Sequence, residues 1–465
     1  MTIPTIVVAA PASGSGKTTV TTGLIGALRA AGHQVAPFKV GPDFIDPGYH
    51  ALAAGRPGRN LDPNLVGTEL VARLFAAGSA GADIAVVEGV MGLFDGRIHS
   101  DSAGSAIADA DPIAFGSTAH VAALIGAPVV LVVDGSGHSQ SLAALLHGFL
   151  TYDSSVRIAG VILNRVGSAR HEEVLRHACA RVGVPVFGVL RRDPSLVVPS
   201  RHLGLIPAAE HSTEAVAAVA SMSAELAAAL DIPAIVAAAA ARAPLTVTAW
   251  SADDGVEPAG NPVIAVAGGP AFTFFYAELG EMLTAAGARI AVFDPLTDPL
   301  PDGTAGVIVG GGFPEEHAAE LSANESLRTQ FAGHARAGRP IWAECAGLLY
   351  LTRELDGHPM AGVIDAVGRF SPTLTLGYRD AIAVAESVLF GEGARVTGHE
   401  FHRSVVVEDL PGADPAWTWR DADGRPARHG YTRGGVHASY LHLHPAAHPD
   451  AVTRFVAAAT ATRRP

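Results

Sequence analysis

Short apolar runs rich in β-branched residues recur along the first half of the chain. They are "TIVVAA" (5–10), "VAPFKV" (35–40), "IAVVE" (84–88), "PVVLVV" (128–133) and "RIAGVIL" (157–163). Each is continuous rather than alternating, the pattern of a strand buried on both faces. Between them, "TTVTTGLIGALRAAG" and "SQSLAALLHGFL" carry the spacing of helices. Alternating β and α segments predict an α/β fold with a doubly wound parallel sheet. Residues 211–243 are Ala-rich and predict helix. From 242 to 262 the periodicity stops and Pro, Gly and Asp collect, which predicts a linker. A second series of strand-like runs follows at 262–268, 288–293, 306–312 and 339–344. The expected domains are therefore 1–240 and 262–465, joined by 241–261.

Composition narrows the class. A chain of 465 residues exceeds the ~250 to 300 that one core usually serves, which supports two domains. A net charge of -13 with no long basic run excludes a nucleic-acid partner, because the surface repels phosphate backbones. Local Lys and Arg can still receive a small anion within a cleft. Two cysteines, Cys179 and Cys345, cannot build a disulfide framework, so a reducing, cytoplasmic setting is expected. The N-terminal apolar run is too short to span a bilayer and flows into a Gly-rich loop, so no membrane partner is expected.

That loop is the first chemical signal. "AAPASGSGKTTVTTG" follows a strand and opens a helix. Gly14, Ser15 and Gly16 let backbone N–H groups curl around phosphate oxygens. Lys17 reaches the β- and γ-phosphates, Thr18 holds Mg²⁺, and Thr19 continues the motif. The usual first glycine is Pro11 here, and Gly14 supplies the flexibility instead. Such a site predicts ATP and Mg²⁺ but no particular reaction, since switch ATPases, kinases and ligases share it.

Carboxylates gather at the same edge. "FKVGPDFIDPGYH" (38–50) and "VVEGVMGLFDG" (86–96) each begin at a strand end, where ligands of doubly wound sheets bind. Asp43, Asp46, Glu88 and Asp95 therefore face the loop. Mg²⁺ takes hard oxygen ligands, and Thr18, Asp43 and Glu88 are the expected set. Lys39 is placed to neutralise a substrate carboxylate or phosphate, and Asn164 in "NRVG" to read the nucleotide base. The competing reading of "GPD" and "IDP" is turn formation alone.

The second half offers a thiol. "RPIWAECAGLLYLTREL" runs from a strand through Glu-Cys-Ala-Gly into a helix. A sharp strand-to-helix turn exposes its central residue, and the new helix's N-terminus favours a thiolate. Gly311 and Gly312 of "GVIVGGGFPEE" supply oxyanion-stabilising N–H groups. The base for Cys345 comes from "GGVHASYLHLHP", which holds His437, His442 and His444. Cys179 fits the alternative fate of a small buried hydrophobe. "GHEFHR" (398–403) is not a zinc motif, because Arg403 stands where His is needed.

Together, "SGSGKTT", "FKVGPDFIDPGYH", "EGVMGLFDG", "GSTAHVAALIGAPVVLVVD", "ILNRVGS", "PSRHLGLIPA", "GGGFPE", "ECAGLLYL", "GHEFHRS" and "ASYLHLH" span nearly the whole chain. Their order resembles the cobyrinic/hydrogenobyrinic acid a,c-diamide synthases of cobalamin biosynthesis. The resemblance implies a dethiobiotin-synthetase-like ATPase domain joined to a class I glutamine amidotransferase domain. It implies glutamine hydrolysis at Cys345 with His442 as its base, the latter from aligning "SYLH" with the "TYLHG" of cobyric acid synthases. It also implies acyl-phosphate activation of ring acetates and a shielded route for ammonia. Asp43, Asp46, Glu88 and Asp95 would line the site for ATP and the corrinoid carboxylate. The small-molecule partners are then a corrinoid ring acid, L-glutamine and ATP, and a homodimer is compatible with this reading. Many class I glutaminases carry His-x-Glu. Here His444 stands at the Glu position, so a Cys/His dyad is expected. The rivals are a cobyric acid synthase and a P-loop switch ATPase with no use for Cys345.

Overall fold

The computed structural model describes residues 3–100, 106–107, 113–192, 200–201, 204–205, 212–407, 414–421 and 424–462. Most of "PSRHLGLIPA" lies outside them. The chain forms two compact units and passes from the first to the second between Trp250 and Ser251.

Among the described residues, the first unit holds a seven-stranded, wholly parallel sheet. Its order is Arg59–Leu61, Val35–Val40, Ile84–Glu88, Thr5–Ala9, Val129–Asp134, Ile158–Val166 and Val186–Arg191. Every residue of Thr5–Ala9, Val35–Val40 and Ile84–Glu88 is buried, which is why those runs lack polar alternation. Their C-terminal ends share one edge of the sheet. The flanking strands Arg59–Leu61 and Val186–Arg191 were too short or too mixed to stand out as apolar runs.

Helix Lys17–Ala30 lies against helix Ser212–Ala229, and small residues allow the close approach. A Cβ on Gly23 would fall 2.6 Å from Leu226 Cγ, and one on Gly26 would fall 1.8 Å from Ser223 Oγ. The Ala-rich stretch is two helices rather than one. Asp231 caps the second, Ile232–Ala240, by accepting from Ala234 N at 3.0 Å, and Pro233 sits in its first turn.

Segment 241–261 is not a free tether. Its first part is strapped to the first unit: Arg242 Nε donates to the Ile125 carbonyl at 2.9 Å, and Trp250 N to the Arg73 carbonyl at 3.0 Å. Its last part belongs to the second unit, where Ala259 N donates to the Ala286 carbonyl and the Ala259 carbonyl accepts from Thr460 Oγ1. Loss of side-chain periodicity marked irregular backbone there, and that backbone still finds partners.

The second unit has its own sheet. Arg289–Phe293, Val263–Ala267, Thr304–Val309, Ile341–Glu344 and Val436–Ser439 run parallel, and Tyr431–Arg433 pairs antiparallel at the end. A further sheet is built around the long antiparallel pair Ile364–Ala383 and Arg395–Val407. Apolar patterning did not announce this pair, because Gly and charged residues interrupt both strands, Pro372 interrupts the first, and one face is partly exposed. Beneath the parallel sheet, Phe331 and Phe272 pack edge-on against Tyr350, with centroids 5.2 and 5.8 Å away. Each is at most 1% exposed, and burial of a large apolar side chain contributes ~1.5 to 3 kcal/mol. This cluster anchors the fully buried helix Ala346–Leu351, and with it the turn at Cys345.

Candidate active site

The Gly-rich loop has the conformation its sequence demands. Gly14 and Gly16 sit at φ 78° and 91°, the left-handed region that a side chain resists. A Cβ on Gly16 would also fall 2.4 Å from Asn164 Nδ2. That amide donates to the Ser15 carbonyl at 2.9 Å, and Asn164 Oδ1 accepts from Arg165 N at 2.8 Å. Asn164 lies within its strand and braces the loop across the sheet edge. Ser15 Oγ donates to the Ala12 carbonyl at 2.9 Å. Half-buried Thr18 and Thr19 lie in the first turn of the helix that Lys17 opens.

Behind the loop is a buried charge cluster. Lys39 Nζ donates to Asp46 Oδ2 at 2.7 Å, to Glu88 Oε1 at 2.9 Å and to the Gly89 carbonyl at 3.2 Å. Thr18 Oγ1 lies 2.8 Å from Glu88 Oε1 and 3.3 Å from Asp46 Oδ2. His50 Nε2 lies 2.7 Å from Glu88 Oε2. Burial alone would lower the Lys39 pKa, but Asp46 and Glu88 outweigh it and hold the ammonium charged. Burial would raise Glu88, yet Lys39 and His50 hold it below the usual carboxylate range. Asp46 goes the other way, pushed up by burial and by Asp43. Lys17 donates to the Met91 carbonyl at 2.5 Å, and burial together with Lys39 lowers its pKa.

Two of the expected acids have other duties in this arrangement. Asp43 Oδ1 accepts from Ile45 N at 2.7 Å and Asp46 N at 3.0 Å, which shapes the turn into helix Asp46–Ala54. Asp95 Oδ2 accepts from Gly92 N at 2.9 Å. Asp46 rather than Asp43 stands beside Thr18 and Glu88. His50 was not anticipated. It lies four residues after Asp46, one helical turn on, which is the signal that would have placed it on the same face.

The Thr18 hydroxyl, Asp46 and Glu88 form a hard-oxygen donor set, and Mg²⁺ shared with nucleotide phosphates fits it. Among the described residues, no group of three or more His, Cys, Asp and Glu is arranged to hold a metal alone.

In the second unit, Cys345 ends strand Ile341–Glu344 at φ 50°, ψ −101°, a strained non-glycine conformation at the helix start. Its N–H donates to the Ser439 carbonyl at 2.7 Å, and Gly347 N donates to the Gly310 carbonyl at 3.0 Å. Those bonds tie the turn to the glycine run that holds Gly311 and Gly312. The helix N-terminus does not win over the surroundings. Burial pushes the Cys345 thiol well up, Glu315, Glu344 and Glu400 add to it, and only the Ala346 N–H opposes. The surroundings thus favour the thiol over the thiolate.

The three candidate histidines separate by surroundings. His442 packs against the glycine run, so that a Cβ on Gly311 would fall 2.5 Å from its Cε1. Its Nδ1 lies 3.6 Å from Glu344 Oε2, and its backbone bridges His399. His444 Nδ1 accepts from Ala446 N at 3.3 Å, and its Nε2 lies 4.0 Å from Glu278. His437 is a core residue, set beside Ser387 Oγ at 3.2 Å and the ring of Trp417. Burial lowers its pKa to about 4. A cluster that sequence reading passed over flanks the thiol. Arg379 Nε donates to Glu400 Oε2 at 2.8 Å, and His402 stacks on Tyr440 with centroids 3.7 Å apart. Glu400 and His402 come from the "GHEFHR" segment, which is the signal for this cluster.

Comparison with known proteins places both halves. Residues 6–206 match the CobQ/CobB/MinD/ParA nucleotide binding domain, and residues 263–450 match the CobB/CobQ-like glutamine amidotransferase domain. The hydrogenobyrinate a,c-diamide synthase of Mycobacterium tuberculosis is 58% identical over 98% of both chains. That of Streptomyces coelicolor is 53% identical over 98% of this chain and 97% of its own. The cobyrinate a,c-diamide synthase of Gloeobacter violaceus is 42% identical over 97% of this chain and 96% of its own.

Proposed function

The chain belongs to the hydrogenobyrinate and cobyrinate a,c-diamide synthase family, and from that membership we propose that it activates two ring acetates with ATP and amidates them with glutamine-derived ammonia. The enzyme is a glutamine-hydrolysing ligase of cobalamin biosynthesis. Relatives named for the cobalt-free ring are 52 to 58% identical and those named for cobyrinate 40 to 42%, which favours hydrogenobyrinate as substrate. No helix among the described residues is long and apolar enough to cross a membrane. Two buried free cysteines support a cytoplasmic enzyme.

At the ligase site a ring carboxylate oxygen attacks the γ-phosphorus, the bond to the bridging oxygen breaks, and ADP leaves. Ammonia then attacks the acyl phosphate carbon, phosphate departs with the C–O electron pair, and one ammonia proton is released. Lys17 and the loop N–H groups hold charge on the moving phosphoryl group. Mg²⁺, held by Thr18, Asp46 and Glu88, would neutralise phosphate charge. Lys39 keeps Glu88 ionised and positions both carboxylates.

At the glutaminase site His442 takes the Cys345 proton as sulfur attacks the glutamine amide carbon. Gly311 and Gly312, on the glycine run tied to the Cys345 turn, would supply N–H donors to the oxyanion. The C–N bond breaks, His442 returns the proton to the leaving ammonia, and water then hydrolyses the thioester to glutamate. An acyl phosphate is short-lived in water, so the freed ammonia must reach it before solvent does.

One observation carries this reading. A buried thiol sits at a strained strand-to-helix turn, on the same chain as a Lys17–Thr18 phosphate loop backed by Asp46 and Glu88. The test supplies hydrogenobyrinate and cobyrinate separately with MgATP and glutamine. Two successive mass losses of about one dalton, each matched by ADP and glutamate, are expected. Phosphate release with an unchanged ring would overturn it.

A further inference from the structure

We propose that Glu344 is the positioning carboxylate of the glutaminase site, acting on His442 from the strand that carries the nucleophile. The inference rests on the Cys345/His442 reading above. The sequence leaves the His-x-Glu slot without an acid, and the structure explains what His444 does there instead. Its Nδ1 accepts from Ala446 N, its ring lies 4.4 Å from that of Tyr276, and its Nε2 faces Glu278. His444 is turned toward the start of the next helix, from whose Ala446 N–H it accepts.

Glu344 takes up the vacated task by another path. It directly precedes Cys345, so the backbone fixes it beside the nucleophile. Its Oε2 lies 3.6 Å from His442 Nδ1. Its Oε1 accepts from Trp342 Nε1 at 3.0 Å, which holds the side chain in one rotamer. The imidazole is confined as well, by Gly311 on one side, the Phe274 ring at 6.4 Å, and the backbone bridge to His399. Nδ1 faces the carboxylate at 3.6 Å, and Nε2 is the nitrogen assigned to take the thiol proton. Glu344 acts by orienting the ring and exchanges no proton in this mechanism. The site is thus a Cys-His-Glu triad whose acid comes from the residue before the cysteine.

The experiment compares Glu344→Gln, Glu344→Asp and Cys345→Ser in the full-length enzyme. Glu344→Gln should lower kcat for glutamine hydrolysis about 100-fold, with KM for glutamine within about twofold. Synthesis driven by ammonium chloride should stay near the parent value, and Glu344→Asp should recover part of the loss. Glutaminase within about threefold of the parent in Glu344→Gln, alongside its loss in Cys345→Ser, would sink this inference alone. Loss of ammonium-driven synthesis in Glu344→Gln would also overturn it, because the role would then be structural. Undiminished use of glutamine by Cys345→Ser would instead sink the underlying assignment.

Discussion

Lys39 and Glu88 face each other in register at the C-terminal ends of neighbouring parallel strands, Nζ to Oε1 2.9 Å, with neither side chain more than 5% exposed. An ion pair this dry is held by mutual compensation, since either charge alone would be stranded. Asp46 draws on the same ammonium. Lys39→Met should therefore leave two carboxylates uncompensated and destabilise the first unit by about 3 to 5 kcal/mol. Urea titration of the parent and variant checks this. A midpoint unchanged within error would mean that water already reaches the cluster.

The two halves should fail differently. Lys17→Ala should depress synthesis by at least about 100-fold with either nitrogen source, because charge on the moving phosphoryl group loses its stabiliser. Cys345→Ala should abolish synthesis from glutamine while sparing synthesis from ammonium. Steady-state assays with each nitrogen source separate the two patterns.

The histidines of the C-terminal motif should sort by environment rather than by sequence proximity. His442→Gln should cut glutamine hydrolysis by at least about 100-fold. His437→Gln should retain most of that activity and lose about 1 to 2 kcal/mol of stability, because its ring fills a site between Trp417 and Phe390. Glutaminase assays paired with thermal melts decide between the two roles.

Stability of the second unit should fall in mild acid. Burial lowers His334, His437 and His448 to about 4, and lowers His399 to about 3 with help from His442, against an ordinary value near 6.5. A depressed folded pKa means that the unfolded chain binds protons first. The stabilisation is therefore complete above about pH 6.5 and is lost as pH falls toward 4. Each fully buried imidazole accounts for at most about 3 kcal/mol of that loss. Fluorescence of Trp342, Trp417 and Trp419 during denaturation at pH 7, 6 and 5 should show a falling midpoint, and His448→Gln should flatten the trend.

Reading the chain went furthest where local chemistry forces one backbone solution. "SGSGKTT" requires left-handed glycines at 14 and 16, and both are there. The continuous apolar runs at 5, 35, 84 and 128 could only be strands buried on both faces. The long pair Ile364–Ala383 and Arg395–Val407 escaped notice, because its stability comes from a partner across the sheet and not from its own pattern.

The residues that meet at each centre are another matter. Sequence alone determined two α/β units, a phosphate loop at one strand end and a cysteine at another, because hydrophobic period and glycine placement are properties of neighbours along the chain. Only the tertiary structure chose Asp46 over Asp43 beside Thr18, brought His50 onto Glu88 and turned Glu344 toward His442. Those choices follow from strand register and from which side chains share the space left by burial, and neither is encoded in any short stretch of residues.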